Sequence, residues 1–374
     1  MNKLLITSFI ILTALGCDVK KEATSKQSEN RKVKDGELLI FSDSLKIKLA
    51  DKLTFIESYE GQLLFHAERY GIVLTDFSGN VISDFNPVGG AENEVGGKIK
   101  QMCFSNSGQI AIASDRGVSL FSSQGKFLSR MNKKFPYNSI NKDLLNFIVE
   151  DQEYFISGAF IPTFHMNMTE REYYESYYSK MIHNLDIEES TYGFNFPDHS
   201  IFKEYIEYYL DLGINITLSD EHKTICTVFN PDKRVYLYDF SNEPTIIGEI
   251  DLIPPDFKRP FTRSFEDGRP EIELIHQSIK CNSKMMNMSA LGDFVYIEYR
   301  PGLPADQSDV PFEVANDSYK KYILKVDLVN KKHVASYKLP DEVFHLQGSF
   351  NDQLVFSSKT EGYDYETFYL IDAP

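Results

Sequence analysis

Short apolar stretches, separated by Gly, Ser, Asn and Asp, recur along most of the chain. Stretches of this length bounded by turn residues predict β-strands joined by tight turns. Residues 71–85 align without gaps with residues 117–131, at an offset of 46 residues. Both read as strand, glycine turn, strand, with Gly79 matching Gly125. The chain therefore contains a repeat built from strands.

Each repeat contains four predicted strands. A Gly-Gln turn at Gly61 and again at Gly108 precedes the aligned part, so a unit is about 40–50 residues long, typical of a propeller blade. Weaker copies outline four more blades, at residues 144–188, 216–252, 286–339 and 343–371. The last copy has three strands, and residues 37–49 are predicted to supply its fourth. Closing a ring with strands from both ends removes exposed edges. We predict an all-β, six-bladed β-propeller of four-stranded antiparallel blades.

One segment, residues 162–213, interrupts the repeat and is predicted to be a short helical insertion in or after blade three. Its first helix would begin at Thr169, with Glu172 completing a capping box. A second would span residues 201–212 and end before Gly213. Five tyrosines on these helices are candidate ligand-binding residues for stacking against a glycan or peptide: Tyr174, Tyr177, Tyr178, Tyr205 and Tyr209. The alternative is that these rings pack against the blades.

The first 17 residues predict the cellular location of the protein. Lys3 precedes an apolar run that ends in Gly16 and Cys17, the arrangement of a bacterial secretory signal with a lipid-modified cysteine. We predict a signal peptide at residues 1–16, then lipidated Cys17 and a polar, flexible tether to residue 36, and the propeller at residues 37–374. The alternative is an ordinary cleaved signal. Lipidation would anchor the protein to a membrane of the bacterial cell envelope, on the periplasmic or outer-surface side.

The net charge argues against one class of partner, and the cysteine spacing argues against a disulfide framework. The 374 residues carry a formal net charge of −16, so a nucleic-acid partner is not expected. Three further cysteines, Cys103, Cys226 and Cys281, are widely spaced. They favour buried thiols over a disulfide framework, although one disulfide with a spare thiol is the alternative.

A resemblance to known families rests on blades one and two. The glycine-rich residues 85–97, followed by residues 107–115, 118–121 and 125–128, resemble an NHL-type blade. The chain as a whole resembles the six-bladed, TolB-like β-propeller lipoproteins of the Bacteroides group, many of unknown function. The Asn-Arg pair usual before the third NHL strand is replaced by Asp115-Arg116. The resemblance implies a fold and an envelope location, but no ligand.

The sequence lacks the common catalytic motifs. It has no Gly-x-Ser-x-Gly elbow, phosphate loop, His-Glu-x-x-His pair or calcium loop, and no catalytic residue, metal ligand or cofactor is predicted. We therefore expect a non-enzymatic binding module for a protein or glycan partner. The alternative is a metal-assisted hydrolase or lyase with its site on the propeller axis, because a propeller gathers distant residues there.

Overall fold

A computed structural model describes residues 34–49, 51–131, 144–157, 175, 178–198, 200–204, 207–209, 213–230, 232–260, 262–264, 272–304, 319–359 and 366–374. The chain divides into two units, residues 1–34 and residues 35–374. The first unit lies outside the described residues except for Lys34, and the second contains the blades. No helix among the described residues is long and apolar enough to cross a membrane.

Six sheets form the blades; four of them have their strands in sequence order from the axis outward, and blades 5 and 6 each carry an N-terminal strand at the outer edge. The chain begins with β1 (Lys34–Leu38) and β2 (Asp43–Ile47). Blade 1 contains β3 (Leu53–Tyr59), β4 (Gln62–Ala67), β5 (Gly71–Asp76) and β6 (Val81–Phe85). Blade 2 contains β7 (Ile99–Phe104), β8 (Ile110–Ser114), β9 (Gly117–Phe121) and β10 (Phe127–Met131). Blade 3 contains β11 (Leu145–Val149), β12 (Gln152–Ser157), β13 (Tyr178–Asn184) and β14 (Glu189–Asn195).

The second half of the ring repeats the pattern with additions between the blades. A short 3-10 helix (Ile201–Glu204) and β15 (Glu207–Tyr209) follow blade 3. Blade 4 contains β16 (Ile214–Ser219), β17 (Thr224–Phe229), β18 (Arg234–Asp239) and β19 (Ile246–Asp251). Next come β20 (Thr262–Ser264), which pairs with β15, and helix α1 (Ile272–Cys281). Blade 5 contains β21 (Lys284–Leu291), β22 (Phe294–Arg300), β23 (Tyr322–Asp327) and β24 (Lys332–Lys338). Blade 6 contains β25 (Val343–Phe350), β26 (Gln353–Ser358) and β27 (Glu366–Asp372).

The predicted ring closure is confirmed, but the predicted single N-terminal strand is two strands. The segment predicted as one strand, residues 37–49, is divided between β1 and β2. β2 pairs antiparallel with β27, from Asp43 opposite Leu370 to Ile47 opposite Glu366, and completes blade 6. β1 adds a fifth strand to the outer edge of blade 5. The N-terminal strands therefore join two neighbouring blades.

The 46-residue repeat has a physical basis in the turn between the third and fourth strands. The Asp76 carboxylate accepts the N–H groups of Ser78 and Asn80, at 2.8 and 2.9 Å. Ser122, 46 residues later, accepts the corresponding N–H groups of its own turn, both at 3.2 Å. The third residue of each turn is a glycine with positive φ, +83° at Gly79. A Cβ at Gly79 would lie 2.5 Å from the Lys46 carbonyl oxygen, so only glycine lets this turn approach the outer strand of the preceding blade.

The core consists of apolar clusters between successive blades. One cluster lies at each of the six blade interfaces, including the closing interface where Phe350 of blade 6 packs against Phe55 of blade 1. The second strands are covered by blades on both sides, and all five residues of β8 are buried. Phenylalanine and tyrosine fill these interfaces in a chain without tryptophan.

One helix prediction is wrong, and another is wrong at its C-terminal end; the remainder of that second segment lies outside the described residues except for Glu175, which is helical. The helix predicted over residues 201–212 is a 3-10 turn followed by β15, and the ring of Phe202 packs 4.3 Å from that of Phe196. The helix predicted after Thr169 was to include Tyr178 and Met181, but both lie in β13. β13 pairs with β12 and β14 and buries Met181, so completing blade 3 outweighs the helical spacing of these residues. Residues 162–213 thus contain two strands of blade 3.

The three cysteines are free thiols, as favoured by their spacing. Cys103 and Cys226 are buried, and Cys281 is partly buried at the end of α1. Burial raises the pKa of the Cys226 thiol to about 12 and that of Cys103 well above its ordinary value. Neither thiol is a ready nucleophile at neutral pH, because the nucleophile is the thiolate.

Candidate functional site

The inner strands of all six blades surround a cavity of about 460 Å³ on the propeller axis, here called the axial cavity. Its lining residues lie in or next to the inner strands β3, β7, β11, β16, β21 and β25, except for Asn230, which follows β17. Its apolar lining includes Ile56, Met102 and Met286. Its polar lining residues are Thr54, Glu57, Asn215, Asn230, Lys284, Asn287, His345 and Gln347. A concave site of this size with a few convergent polar groups is typical of ligand sites in proteins.

Irregular strand pairing accompanies much of this lining. The pairing shifts register in β3 around Ile56, in β21 around Met286 and Asn287, and in β25 around His345 and Gln347. A β-bulge inserts an unpaired residue and turns its side chain out of the regular alternation. All five of these residues line the axial cavity. The bulges therefore account for polar and apolar groups that face the axis together.

The axial cavity lies toward one end of the ring, here called the loop face. β16 and β21 contribute from their first residues, Ile214 and Lys284 onward. At this end, long connections lead from the outer strand of one blade to the inner strand of the next: residues 86–98, 132–144, 196–213 and 252–283. At the opposite end the inner strand turns directly into the second strand, as at residues 60–61, 292–293 and 351–352. Loops that surround the mouth of a cavity commonly supply its specificity.

The strongest polar cluster joins blades 5 and 6. Glu298 on β22 is fully buried, and its carboxylate lies 2.8 Å from Nδ1 of His345. It also accepts the Asn287 side-chain amide at 2.8 Å and the Leu346 backbone N–H at 3.0 Å. Burial alone would raise the pKa of Glu298, but His345, Lys321 and Asn287 outweigh it, and the pKa lies below its ordinary value. Glu298 thereby positions two residues of the cavity lining, Asn287 and His345.

A second carboxyl group, Glu57, lies on β3 of blade 1, the blade next to blade 6. It accepts the backbone N–H of Phe104, on the inner strand of blade 2. Burial raises the pKa of Glu57 to about 8; the Phe104 N–H opposes this rise, and the charge of Asp220 adds to it. At neutral pH Glu57 is therefore mostly a neutral acid, able to donate a hydrogen bond.

Amide groups from blade 4 complete the polar lining. The Asn215 side-chain amide donates to the Asn230 side-chain oxygen at 3.0 Å and to the Met285 carbonyl at 2.8 Å. The second bond joins the inner strands of blades 4 and 5. The orientation of Asn215 is thus fixed by groups outside any ligand, which favours a preformed site.

The residues predicted as sites are placed elsewhere or lie outside the described residues. Cys17, Tyr174, Tyr177 and Tyr205 lie outside the described residues, so lipidation and the tyrosine platform stay predictions. Tyr178 begins β13 in blade 3, whereas Tyr209 ends β15 in a separate two-stranded sheet. The helices that were to align these two tyrosines are not formed at their positions.

Sequence reasoning missed the cavity residues because no short motif contains them. Glu298 and His345 are 47 residues apart, and Glu57 and Phe104 are also 47 residues apart. Both separations are about the length of one blade. The sequence therefore offered one pattern: a carboxylate placed one repeat before a polar residue or before an inner-strand backbone N–H. The bulges hid it, because they break the alternation that predicts which side chains face the axis.

Among the described residues, no group of three His, Cys, Asp or Glu side chains is placed to hold a metal ion. His345 and Glu57 line the same cavity; His345 contacts the Glu298 carboxylate, and Glu57 accepts the Phe104 backbone N–H.

Comparisons with known proteins support the fold. The structure is similar to that of a member of the DUF4221 family from Bacteroides vulgatus, with a TM-score of 0.66 and 12% identity, over 89% of this chain and 97% of that one. It is also similar to a protein from Bacteroides fragilis described as exported, with a TM-score of 0.55 and 10% identity, over 90% of this chain and 98% of that one. No sequence family matches the chain, and no curated protein does. At these identities the similarity establishes the fold alone.

Proposed function

We propose that this protein is a non-enzymatic binding module of the bacterial cell envelope, anchored by lipid at Cys17, whose protein or glycan partner places a polar group in the axial cavity. The observation that carries the proposal is the cavity itself, lined by all six blades and bounded by the loop face. The exported relative from Bacteroides fragilis and the signal-like residues 1–17 support the location.

The binding test uses the full chain in detergent, probed with envelope extracts and with a glycan array. Met286→Trp should fill part of the axial cavity and reduce partner binding at least about tenfold. Ile82→Trp is the matched control, because Ile82 is exposed on the outer strand β6. Thermal melting would establish that both variants are folded. Equal binding by the two variants would remove the cavity from the proposal.

The anchor has its own test. Cys17→Ser should abolish incorporation of labelled fatty acid and release the protein from the membrane fraction, because stable anchoring depends on the acyl chains. Membrane retention of the unlabelled variant would contradict lipid anchoring. This result is independent of ligand binding.

The tyrosine platform needs point substitutions. Deleting residues 162–213 would remove β13 and β14 and unfold blade 3. Replacing Tyr174, Tyr177 and Tyr205 with alanine leaves every described strand unchanged in sequence. Loss of partner binding in a folded triple variant would support the platform, and unchanged binding would exclude it.

The alternative, a metal-assisted hydrolase or lyase on the axis, requires inward-facing ligands from several inner strands. The described lining contributes only His345 and Glu57 from the usual metal-binding residue types. No observation favours this alternative over the binding role.

A further inference from the structure

Most polar groups that line the axial cavity already have partners inside the protein. The Asn215 side-chain amide donates twice, at 3.0 and 2.8 Å. Asn287 and His345 each contact the Glu298 carboxylate at 2.8 Å. Lys284 also interacts within the protein. A hydroxyl-rich ligand would exchange its hydrogen bonds to water for walls that offer few bonds in return, and this exchange costs free energy.

The apolar part of the lining comes from the whole ring. Blades 1 to 6 contribute, in turn, the aliphatic or thioether side chains of Ile56, Met102, Leu145, Ile214, Met286 and Leu346. Three of them, Ile56, Leu145 and Met286, are partly exposed. Removing apolar surface from water is favourable. An apolar group that enters the cavity therefore gains contacts with several blades at once.

Met286 lies on the axis without serving the packing between blades. The pairing of β21 with β22 passes from Met285 opposite Tyr299 to Met288 opposite Ile297, so Met286 has no paired residue. Met285 and Met288 pack in the cluster between blades 4 and 5, whereas Met286 is in none of the apolar clusters that the described residues form. Its flexible thioether can adapt to the shape of an apolar group beside it.

We infer that the partner is a protein that inserts one large apolar side chain, such as leucine or phenylalanine, into the axial cavity against Ile56, Leu145 and Met286. This inference rests on the proposed function and selects a protein over a glycan. The polar group that enters with the side chain is the peptide group of the inserted loop. The volume of about 460 Å³ is in the lower part of the range for ligand sites, which suits a single side chain. A side chain buried in a central pocket is a common source of affinity at protein interfaces.

The test uses probes that differ only in their side chain: N-acetyl-L-leucinamide, N-acetyl-L-phenylalaninamide and N-acetyl-L-serinamide. The full chain is held in lipid nanodiscs, because detergent monomers would compete for an apolar cavity. Binding is followed by NMR of isotope-labelled methionine methyl groups. The signals of Met286 and Met102 are assigned by their loss in Met286→Gln and Met102→Leu. We expect the leucine and phenylalanine probes to bind at least about tenfold more tightly than the serine probe.

A polar substitution in the lining should weaken this preference. Met286→Gln keeps the length of the side chain and makes it polar, so the preference, read from the Met102 methyl group, should fall at least about threefold. Ile82→Gln makes a similar change at an exposed position of β6 and should keep the wild-type preference. Thermal melting would establish that both variants are folded.

Three results would overturn the apolar side chain. These are binding of the serine probe or of D-glucose as tight as that of the leucine probe, a preference unchanged in folded Met286→Gln, and no shift of either methyl signal up to about 100 mM leucine probe, about ten times a Kd of 10 mM.

Further outcomes separate this inference from the proposed function. A glycan partner whose binding is lost in Met286→Trp would overturn the inference and leave the binding module intact. A preference for the leucine probe that persists in Met286→Trp would place the site outside the axial cavity and contradict both the inference and the proposed function.

Discussion

Glu57 and Glu298 are two carboxyl groups beside one cavity, Glu298 fully buried and Glu57 partly buried, and their surroundings shift their pKa values in opposite directions. Each accepts a backbone N–H from the inner strand of the next blade, Phe104 for Glu57 and Leu346 for Glu298. Glu298 has His345 and Asn287 as further partners, and its pKa is lowered. Glu57 has no such partners: desolvation, with a small addition from the charge of Asp220, outweighs the Phe104 N–H and raises its pKa to about 8. Burial therefore keeps a carboxyl group protonated only where no nearby cation stabilises its charged form.

The largest expected effect on the free energy of unfolding comes from removing the Glu298 carboxylate, which is hydrogen-bonded to His345, Asn287 and the Leu346 N–H. Glu298→Ala should lower the free energy of unfolding by about 3–4 kcal/mol at pH 7, because His345, Asn287 and the Leu346 N–H lose their shared acceptor. Guanidinium denaturation measures this change. Glu342→Ala, at an exposed position before β25, is the control and should change stability by less than about 0.5 kcal/mol. A loss below about 1 kcal/mol for Glu298→Ala would contradict the role of this cluster.

Glu57 should change the pH dependence of the free energy of unfolding. The pKa of Glu57 is about 8 in the folded protein against an ordinary 4.5, so the folded state holds the proton more tightly between these values. Wild-type stability should therefore fall by about 1 kcal/mol per pH unit from pH 4.5 to 8, relative to Glu57→Gln. Urea denaturation at several pH values measures the slope. Glu60→Gln, in the exposed turn after β3, should keep the wild-type slope.

A smaller effect is expected from a single partner of Glu298. Asn287→Ala removes one hydrogen bond to a buried carboxylate and should cost about 1–1.5 kcal/mol. Asn80→Ala removes the same type of bond, to the more solvent-accessible Asp76, and should cost clearly less. Equal costs at the two positions would show that burial does not strengthen the contact.

The smallest effect is expected in acid. Since the folded pKa of Glu298 is lowered, its stabilising contribution is present above pH 4.5 and is lost as the pH falls through the folded pKa. The loss of stability below pH 4.5 should therefore be shallower in Glu298→Gln than in the wild type. Thermal melts from pH 5 to pH 3 test the sign. An unchanged acid slope would mean that other carboxylates dominate there.

The repeat made most of the fold predictable. The turns at Asp76 and Ser122 are local, since each side chain caps its own turn, and local signals survive in sequence. β2 was predicted in outline because a blade with three strands needs a fourth. The helix over residues 201–212 was wrong because its apolar spacing also suits a chain that buries Phe202 between blades 3 and 4.

The candidate site was not predictable from spacing alone. His345 and Asn287 face the axis because β25 and β21 leave regular pairing there, and a bulge has no consistent sequence signature. Glu57 gave no signal either, because its raised pKa comes mainly from burial in the folded ring, which depends on segments distant in sequence. The sequence-based tyrosine candidates relied on a helical period, and two of the five fall in strands.

The pairing of β2 with β27 in blade 6 determines the order in which parts of the fold can form. Ser42 and Leu370, which bond at 3.0 Å, are separated by 328 residues. During synthesis, β2 emerges long before β27 exists, so the first strands stay unpaired while the intervening blades form. Contacts between such distant segments are slow to form. The axial cavity, which needs all six inner strands, is therefore among the last features to mature, and a chain stalled before β27 would display a ring open at one seam.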